Sequence, residues 1–262
     1  MITFPSAKLN IGLRVTEKRP DGYHNLQTLF YQIPLHDSLE ILPSKEGMLW
    51  DDSSDLPEDN LVIKAYRAVQ KIYPTLPAVR IFLRKRIPMG SGLGGGSSDA
   101  TATLLMFNRL FDLGMSDTTL HHLATGLGAD CPFFLKTSPH IAEGIGDILE
   151  PFPLDLTGYY LTLVFPGIHI STKEAYTAVP VGQPEEDLRT SLNRPISEWK
   201  EWVKNDFEKN LFVAYPTLAE IKKSLYASGA IYASMSGSGS AIYGLSHEPL
   251  NIDNYATKTL KL

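Results

Sequence analysis

The most chemically suggestive stretch of the sequence is a glycine-rich run that leads into a predicted helix. Five of the seven residues at positions 90–96 are glycines, and Ser97 and Ser98 follow them. Without Cβ atoms this backbone can curl and turn several N–H groups inward, and the helix N-terminus adds about half a positive charge there. We therefore predict an anion cradle for phosphates, in which the serine hydroxyls cap the helix, donate to a phosphate oxygen or ligate magnesium.

Other interpretations of this run fit the residues less well. A Walker loop needs a lysine before its Ser or Thr, whereas Gly96 directly precedes Ser97. Gly90, Gly92 and Gly95 match a dinucleotide fingerprint, but the preceding strand is charged and alternating, and no second strand ends in an acid about twenty residues later. A flexible surface loop is disfavoured because the run lies between a predicted strand and a strongly patterned helix.

A carboxylate and an amino-terminal lysine are candidates for acid–base chemistry. Asp130 lies between small residues and the apolar Pro132-Phe133-Phe134, surroundings that would partly desolvate a carboxylate and suit a general base. The same pattern is typical of a turn or helix-cap aspartate, and Lys8 is equally typical of a solvated lysine at a strand start. The residues alone leave both interpretations open.

The cysteine and the adjacent histidines carry no catalytic pattern. Cys131 has no neighbouring His or Asn that would activate its thiol. His121 and His122 lack the i, i+4 spacing of a helical metal pair, which predicts a solvated helix face.

An aromatic ring and an imidazole stand together where a predicted strand begins. Tyr23 and His24 directly follow the turn signal Pro20-Asp21-Gly22. An aromatic face can stack on a flat ligand, and an imidazole can read the edge of a base. Packing of two half-buried side chains is the alternative interpretation of Tyr23 and His24.

A second glycine-rich turn, SGSGS, occupies residues 236–240 and is called the glycine–serine turn below.

Together these motifs resemble those of the GHMP kinases, the small-molecule kinases named for galactose, homoserine, mevalonate and phosphomevalonate. PMGSGLGGGSSDA resembles the phosphate-binding motif of the family, PSAKLN resembles its first motif, and SGSGS its third. Within the family, AKLNIGLRVTEKRPDGYHNLQTLF and LGADCPFF are similar to the members that phosphorylate cytidine-diphosphate-linked methylerythritol in isoprenoid precursor synthesis. The resemblance covers nearly the whole chain.

The resemblance implies a role for each candidate residue. Asp130 would be the general base, and Lys8 would orient or acidify the substrate hydroxyl. Counting from Pro166-Gly167 places the stacking aromatic of the family at Tyr176, in a poorly patterned loop. The implied substrate contacts are Asn10, Tyr23, His24, Thr172 and Tyr176. The implied ATP contacts are Asn60 on the adenine side, which could also cap a helix, and Pro88, Met89, Gly90, Ser91, Gly92, Leu93, Gly94, Gly95, Gly96, Ser97 and Ser98.

The resemblance also implies ATP as co-substrate with Mg²⁺. Ser98 is the candidate magnesium ligand, while Glu143 and Asp147 remain open as a second, acidic ligand. The expected partner is a small molecule, the cytidine-diphosphate-linked methylerythritol, and the chain is expected to be a monomer or a homodimer. A homoserine-type or mevalonate-type kinase and a nucleotide-binding protein without transfer activity are the alternatives.

Hydrophobic patterning predicts the elements that position these residues. Strands are predicted at residues 9–16, 26–35, 38–42, 79–87, 159–165, 231–234 and 241–245. Helices are predicted from Asn60 through Ile72, with Leu61, Ala65, Ala68 or Val69 and Ile72 on one face, and at residues 97–111, 116–126, 196–204 and 217–228. Residues 51–59 and 180–195 are predicted loops.

Mixed strands and helices in both halves of the chain predict an α+β fold. The resemblance implies the two-lobed GHMP kinase fold, with helices packed on mixed sheets and an active site between the lobes. We predict an N-terminal ATP-binding domain at residues 1–155 and a C-terminal substrate-side domain at residues 156–262.

Composition excludes several other classes of protein. The 262 residues carry a net charge of 24 − 29 = −5, so no excess of basic residues exists to bind nucleic acid or an anionic membrane. No apolar run reaches about 18 residues, and the N-terminus lacks the order of a signal peptide. One cysteine fits a reducing compartment. We therefore expect a cytoplasmic enzyme without nucleic-acid or membrane partners.

Overall fold

The computed structural model describes residues 1–45, 49–52, 60–177, 179, 181–182 and 186–262. The chain forms two compact units made of interleaved segments. The first unit comprises Met1–Ala7, Leu35–Met89 and Gly94–Thr137, and the second comprises Lys8–Pro34, Gly90–Leu93 and Ser138–Leu262. These units do not follow the division near residue 155, which stays a prediction about domain boundaries.

Strands and helices alternate irregularly along the described chain. The strands are β1 (Ile2–Thr3), β2 (Ser6–Lys18), β3 (His24–His36), β4 (Ser38–Pro43), β5 (Leu49–Asp52), β6 (Val79–Arg84), β7 (His140–Glu143), β8 (Ile148–Pro151), β9 (Tyr160–Phe165), β10 (Tyr232–Met235), β11 (Ile242–Ser246) and β12 (Ala256–Lys261). The α-helices are α1 (Leu61–Ile72), α2 (Gly95–Leu110), α3 (Asp117–Leu127), α4 (Thr172–Thr177), α5 (Leu188–Leu192), α6 (Trp199–Trp202), α7 (Glu208–Ala214) and α8 (Pro216–Ala227). Short 3₁₀ helices lie at Cys131–Leu135 and Ile196–Glu198.

The first unit packs α1, α2 and α3 with one mixed sheet. Its strand order is β1-β4-β6-β5, and β5 runs parallel to β6 while the other pairs are antiparallel. Alternation along β6 buries Val79, Ile81 and Leu83. These side chains share a core with Leu104 and Phe107 of α2.

The second unit holds most of β2 and β3 and all of the strands from β7 onward. One sheet has the order β2-β3-β7-β8, and the other has the order β10-β11-β9-β12, in which the three pairs are antiparallel. Leu13 and Val15 of β2 lie in one core cluster with Val164, Phe207 and Leu218. The amino-terminal strands are therefore part of the hydrophobic core formed by the carboxyl-terminal half of the chain.

Two predicted boundaries near the glycine-rich run differ from the structure for local reasons. β6 ends at Arg84 rather than at residue 87, because the N–H groups of Arg86 and Ile87 donate to the Asp37 carboxylate instead of to a strand. Helix α2 begins at Gly95 rather than at residue 97, because Gly94 is its N-cap in the left-handed conformation (φ +68°).

The predicted loops contain regular structure in part. Asp51 and Asp52 end strand β5, and residues 53–59 lie outside the described residues. Within 180–195, helix α5 forms because the Asp187 side chain accepts the Arg189 N–H at its N-terminus. Residues 180 and 183–185 also lie outside the described residues.

The predicted face of α1 was wrong at its last position. The helix begins after Asn60 as expected, but it buries Val62, Tyr66 and Val69, whereas Ile72 is 48% exposed. Tyr73 follows the helix and packs against the core in place of Ile72. The pattern also missed β5, β7, β8, β12, α5 and α7, each of seven residues or fewer and too short for a periodicity.

Among the described residues, none of the helices combines the length and apolar character needed to cross a bilayer.

Candidate active site

The three predicted motifs include residues that meet in the second unit. The Lys8 N–H on β2 donates to the Leu93 carbonyl (2.9 Å), so the first motif lies beside the glycine-rich run. The Asn10 N–H donates to Ser236 Oγ (3.1 Å), and that hydroxyl donates to the Gly92 carbonyl (2.9 Å). The Ser236 hydroxyl thus joins the first motif, the glycine-rich run and the glycine–serine turn.

The glycine-rich run approaches the glycine–serine turn so closely that a side chain cannot fit between them. Gly92 has φ +75°, and a Cβ atom at this position would overlap the Ser236 carbonyl oxygen. The Ser240 and Ala241 N–H groups donate to the carbonyls of Gly90 (3.3 Å) and Ser91 (3.2 Å). Glycine is required at position 92 for both reasons, backbone conformation and space.

The side chains of Lys8 and Asn10 form a buried polar pair on β2. Lys8 is 3% and Asn10 is 4% exposed. Lys8 Nζ donates to Asn10 Oδ1 and lies 4.4 Å from the centre of the Phe30 ring on β3. An ammonium held in such a site interacts more strongly with a developing negative charge than it would in water.

Two of the predicted substrate residues stack on each other. The rings of His24 and Tyr176 are 4.9 Å apart at an interplanar angle of 21°, and the Tyr176 ring also meets Phe207 edge to face (4.9 Å, 88°). Partial burial, with a smaller effect of Lys18, lowers the pKa of His24. The neutral imidazole is therefore favoured, and it has the one donor and one acceptor that can read a base edge.

The remaining predicted substrate residues lie close in sequence to this pair. Thr172 is the first residue of α4, the helix that carries Tyr176, so the expectation of an irregular loop at Tyr176 was wrong. Tyr23 precedes β3 and is 62% exposed, which leaves its ring available to a ligand.

In the first unit, α2 begins without a side-chain cap. Gly94 is the N-cap, and no side chain makes a cap hydrogen bond, so the predicted capping by Ser97 or Ser98 was wrong. Ser98 is 3% exposed, and its N–H donates to the Gly94 carbonyl (2.9 Å). The first N–H groups of this helix fit an external anion better than a capped helix end would.

Asp130 lies just before the 3₁₀ helix Cys131–Leu135 and does not cap it. Its side chain makes no cap hydrogen bond. The following residue is anchored to α2, because Thr101 Oγ1 donates to the Cys131 carbonyl (2.9 Å) and Ser97 hydrogen-bonds with the Cys131 side chain. Burial raises the pKa of the Cys131 thiol to about 11, which agrees with the expectation that this cysteine is not a nucleophile.

Asn60 caps α1 with one end of its amide. Its Oδ1 accepts the N–H groups of Val62 (2.9 Å) and Ile63 (3.2 Å). Its Nδ2 is buried and has no hydrogen-bond partner among the described residues. The cap and a donor toward a ligand can therefore coexist in this side chain.

A buried charge cluster that sequence reasoning missed lies under the start of α2. Lys85 Nζ is paired with Asp37 and with Asp99 (2.6 Å), and Asp37 also accepts the N–H of Ile87 (2.8 Å). Burial, opposed by Lys85 and reinforced by Asp37, raises the pKa of Asp99 to about 7. The available signal was an aspartate next to Ser98 near the start of the predicted helix, because a carboxylate that becomes buried there needs a charged partner.

Asn205, a second residue that sequence reasoning missed, is hydrogen-bonded to the backbone of the glycine–serine turn and of the strand before it. Its Nδ2 donates to the carbonyls of Met235 and Gly237 (2.8 Å each), and its Oδ1 accepts the Phe207 N–H (3.0 Å). The same short segment therefore positions the glycine–serine turn and the Phe207 ring that contacts Tyr176. The sequence does not mark Asn205 as a support of this turn, because the two carbonyls to which it donates are about 30 residues away.

The residues present agree with a magnesium ion bound mainly through nucleotide phosphates. Glu143 is engaged by Arg189 (2.8 Å) and Gln27 (3.0 Å), and Asp147 accepts the Ile145 N–H (3.1 Å). No group of three or more metal-binding side chains occurs in the part of the chain that the structure describes. Mg²⁺ ordinarily keeps several waters and takes only one or two protein ligands beside ATP, a role for which the buried Ser98 hydroxyl has suitable chemistry.

The candidate site residues are distributed over both units. The second unit contains Lys8, Asn10, Tyr23, His24, Thr172, Tyr176 and Gly90–Leu93. The first unit contains Asn60, Asp130, the exposed Pro88 and Met89, and the residues from Gly94 to Ser98.

Comparison with known proteins agrees with these motifs. The chain matches the families described as GHMP kinases N terminal domain, over residues 60–137, and GHMP kinases C terminal, over residues 187–256. A 4-diphosphocytidyl-2-C-methyl-D-erythritol kinase of Bacteroides fragilis is 51% identical over 252 residues, which cover 94% of this chain and 92% of that protein.

Solved structures share the fold over most of the chain. A crystal structure of 4-(cytidine 5'-diphospho)-2C-methyl-D-erythritol kinase is 35% identical with a TM-score of 0.83, over 95% of this chain and 91% of that one. A homoserine kinase from Cytophaga hutchinsonii has the same fold at 18% identity, with a TM-score of 0.68 over 98% and 94% of the two chains. The chain belongs to the GHMP kinase family and, within it, to the family of the 4-diphosphocytidyl-2-C-methyl-D-erythritol kinases.

Proposed function

We propose that this chain transfers the γ-phosphoryl group of ATP to the 2-hydroxyl of 4-diphosphocytidyl-2-C-methyl-D-erythritol, in non-mevalonate isoprenoid precursor synthesis. The observation that carries the proposal is the stacked pair of His24 and Tyr176, at 4.9 Å, in the unit that also holds Lys8 and Asn10. A flat base suits this aromatic pair, whereas a simple alcohol such as homoserine or mevalonate has no group that needs it.

The cytidine end of the substrate is assigned to the aromatic residues. Tyr176 supplies a stacking face, and the neutral His24 imidazole supplies hydrogen bonds to the pyrimidine edge. The exposed Tyr23 and the helix residue Thr172 contribute further contacts. Asn10 is assigned to the acceptor end, because it is hydrogen-bonded to Lys8.

The triphosphate is assigned to the glycine-rich run, and the adenine to the side of Asn60. Backbone N–H groups of residues 89–97, at and before the uncapped start of α2, suit phosphate oxygens. Magnesium, when bound with ATP, neutralises charge on the β- and γ-phosphate oxygens, and the Ser98 hydroxyl is its proposed protein ligand.

In the proposed step, Asp130 accepts the proton of the substrate 2-hydroxyl. The 2-oxygen forms a bond to the γ-phosphorus, the bond from that phosphorus to the β–γ bridging oxygen breaks, and ADP leaves with the electron pair. The Lys8 ammonium stabilises the negative charge that develops on the attacking oxygen. A cytoplasmic location, a monomeric or homodimeric state, and a functional division into an ATP-binding part at 1–155 and a substrate-side part at 156–262 remain parts of this proposal.

A transfer assay with labelled ATP tests the acceptor. The purified chain is incubated with γ-labelled ATP and, separately, with 4-diphosphocytidyl-2-C-methyl-D-erythritol, homoserine and mevalonate. We expect label in the first product only. Equal transfer to homoserine or mevalonate would refute the acceptor, and ATP binding without any transfer would favour a nucleotide-binding protein.

Replacement of Asp130 by asparagine tests the base. D130N keeps the size of the side chain, so we expect an unchanged melting temperature and a kcat lower by roughly two to four orders of magnitude, the usual cost of losing a general base. A variant that keeps most of its kcat would show that another group accepts the proton.

A further inference from the structure

We propose that Thr28, a residue of β3 without an assigned role, is a positioning residue that sets the orientation of the Asn10 amide and, through it, the Lys8 ammonium. The inference rests on the proposed function, in which Lys8 and Asn10 act at the acceptor hydroxyl. Thr28 has no exposed surface, and it meets the candidate site through the Asn10 side chain.

The direction of each hydrogen bond in this chain of groups follows from its first member. Thr28 Oγ1 lies 2.5 Å from the Gly12 carbonyl oxygen, which can only accept, so the single hydroxyl proton of Thr28 points there. The Thr28 oxygen then has only lone pairs to offer to Asn10. The Asn10 group that faces it at 3.1 Å must therefore be the Nδ2 amino group.

The other end of the Asn10 amide meets a group of fixed character. With Nδ2 toward Thr28, Oδ1 faces Lys8 Nζ and accepts from it. An ammonium has only donors, so a flipped Asn10 amide would place its NH₂ group against the NH₃⁺ group of Lys8. At the other end, the amide oxygen would face the Thr28 oxygen, and no donor would lie between these two acceptors as long as the hydroxyl kept its bond to Gly12. One orientation satisfies every group.

Burial makes this orientation consequential. Lys8 and Asn10 are 3% and 4% exposed and Thr28 is fully buried, so bulk water is not available to replace a lost partner. Phe30 lies two residues after Thr28 on β3, with its ring 4.4 Å from Lys8 Nζ. β3 thus holds Lys8 directly through the ring of Phe30 and indirectly through the hydroxyl of Thr28.

Two substitutions of Thr28 separate the hydroxyl from the volume of the side chain. T28V keeps the shape and removes the hydroxyl, whereas T28S keeps the hydroxyl and removes a methyl group. We expect T28V to lower kcat by roughly 10-fold to 100-fold, the range for leaving buried polar groups unpaired, with the KM for ATP changed by less than about threefold. We expect T28S to stay within about threefold of the wild-type kcat.

Melting temperatures measured alongside show whether each variant is folded. If T28V does not fold, T28C replaces it, because a thiol is close in size and a weak hydrogen-bonding group, and the same loss of kcat is expected. A T28S variant as impaired as T28V, or a folded T28V with wild-type kcat, would overturn the proposal.

A spectroscopic measurement tests the orientation without any acceptor substrate. The side-chain amide signals of Asn10 in a ¹⁵N-labelled sample are assigned by their loss in N10D. We expect slow solvent exchange of these protons in the wild type and T28S, and faster exchange with shifted signals in T28V. Unchanged Asn10 signals in T28V would refute the positioning role even if the wild type proved inactive on the proposed acceptor, an outcome that would separately refute the proposed function.

Discussion

Asn60 shows how a single side chain can serve both the fold and a ligand. Its Oδ1 caps α1, while its buried Nδ2 has no partner among the described residues. An aspartate keeps the capping oxygen and removes the donor. We therefore expect the free energy of unfolding of N60D to lie within about 0.5 kcal/mol of the wild-type value. We expect its KM for ATP to rise by roughly threefold to tenfold. Denaturant unfolding and steady-state kinetics measure the two effects.

N60A is the matched control for this separation. It lacks both atoms, so we expect it to lose about 1 kcal/mol of stability in addition to affinity for ATP. Wild-type affinity for ATP in N60D would limit Asn60 to its role as a helix cap.

The raised pKa of Asp99 predicts that the stability of the fold depends on pH and that the D99N substitution removes this dependence. Burial raises its pKa in the folded protein to about 7, well above the 3.8 of an unperturbed aspartate, so between these values the folded chain holds a proton that the unfolded chain has released. Stability from this group is therefore lost as the pH rises toward 7, with a slope of at most about 1.4 kcal/mol per unit. We expect the free energy of unfolding of D99N to lack this slope.

Urea unfolding of both proteins between about pH 5 and pH 8 checks this prediction. E220Q, which replaces an exposed carboxylate on α8, is the control and should follow the wild-type slope. Parallel curves for the wild type and D99N would mean that Lys85 keeps Asp99 ionised throughout this range.

The residues that the sequence assigned to the candidate site lie in a motif or at a counted distance from one, and their roles stay predictions. Lys8 and Asn10 pair as neighbours on one strand, and His24 meets Tyr176 across 152 residues. Thr28 could not be predicted, because its role arises from a carbonyl 16 residues away and an amide 18 residues away. Which groups form a hydrogen bond is decided by strand register, which local patterns do not specify.

At the scale of elements, two glycine substitutions separate two effects: the close approach of the glycine-rich run to the glycine–serine turn, and the left-handed backbone conformation. G92A adds a Cβ atom that would overlap the Ser236 carbonyl, at φ +75°. G114A adds one at a similar φ, +62°, where no atom of the described chain lies within 4 Å. Both variants pay for a left-handed residue, about 1 kcal/mol, but only G92A must displace backbone.

We therefore expect G114A to lose stability without losing affinity for ATP, and G92A to lose at least about tenfold in affinity. Calorimetric titration with ATP and thermal melting measure both quantities. Equal affinity in the two variants would mean that the contact with Ser236 does not shape the nucleotide site.

Elements with a clear period were predicted, and those that depend on particular contacts were not. β6 and β9 alternate or are continuously apolar, and α1 and α3 have recognisable caps at Asn60 and Ser116. The start of α2 was placed two residues late, because the sequence suggests serine caps whereas the left-handed Gly94 begins the helix. A glycine in a turn and a glycine at an N-cap look alike in sequence.

At the scale of the whole molecule, element order predicted an α+β fold and the resemblance of the motifs implied the GHMP kinase fold; the structure and the comparisons confirm both. The predicted division cuts the chain once, near residue 155, whereas each of the two compact units is made of several separate segments. Strands β2 and β3 come first in the chain, yet their residues Lys8–Pro34 cluster with Ser138–Leu262. Chain order could not reveal this, because the contacts join segments more than one hundred residues apart.

The interleaving predicts that residues 156–262 do not fold alone. This fragment lacks Leu13 and Val15, which share a buried cluster with Phe207, and it lacks the Val15 N–H that donates to the Asp206 carboxylate (2.9 Å). We expect no cooperative thermal transition in its circular dichroism. The matched control joins Lys8–Pro34 to Ser138–Leu262 through a flexible glycine–serine linker, and we expect it to melt cooperatively because the cluster is restored. Cooperative melting of the shorter fragment would instead support a self-contained domain beginning near residue 155.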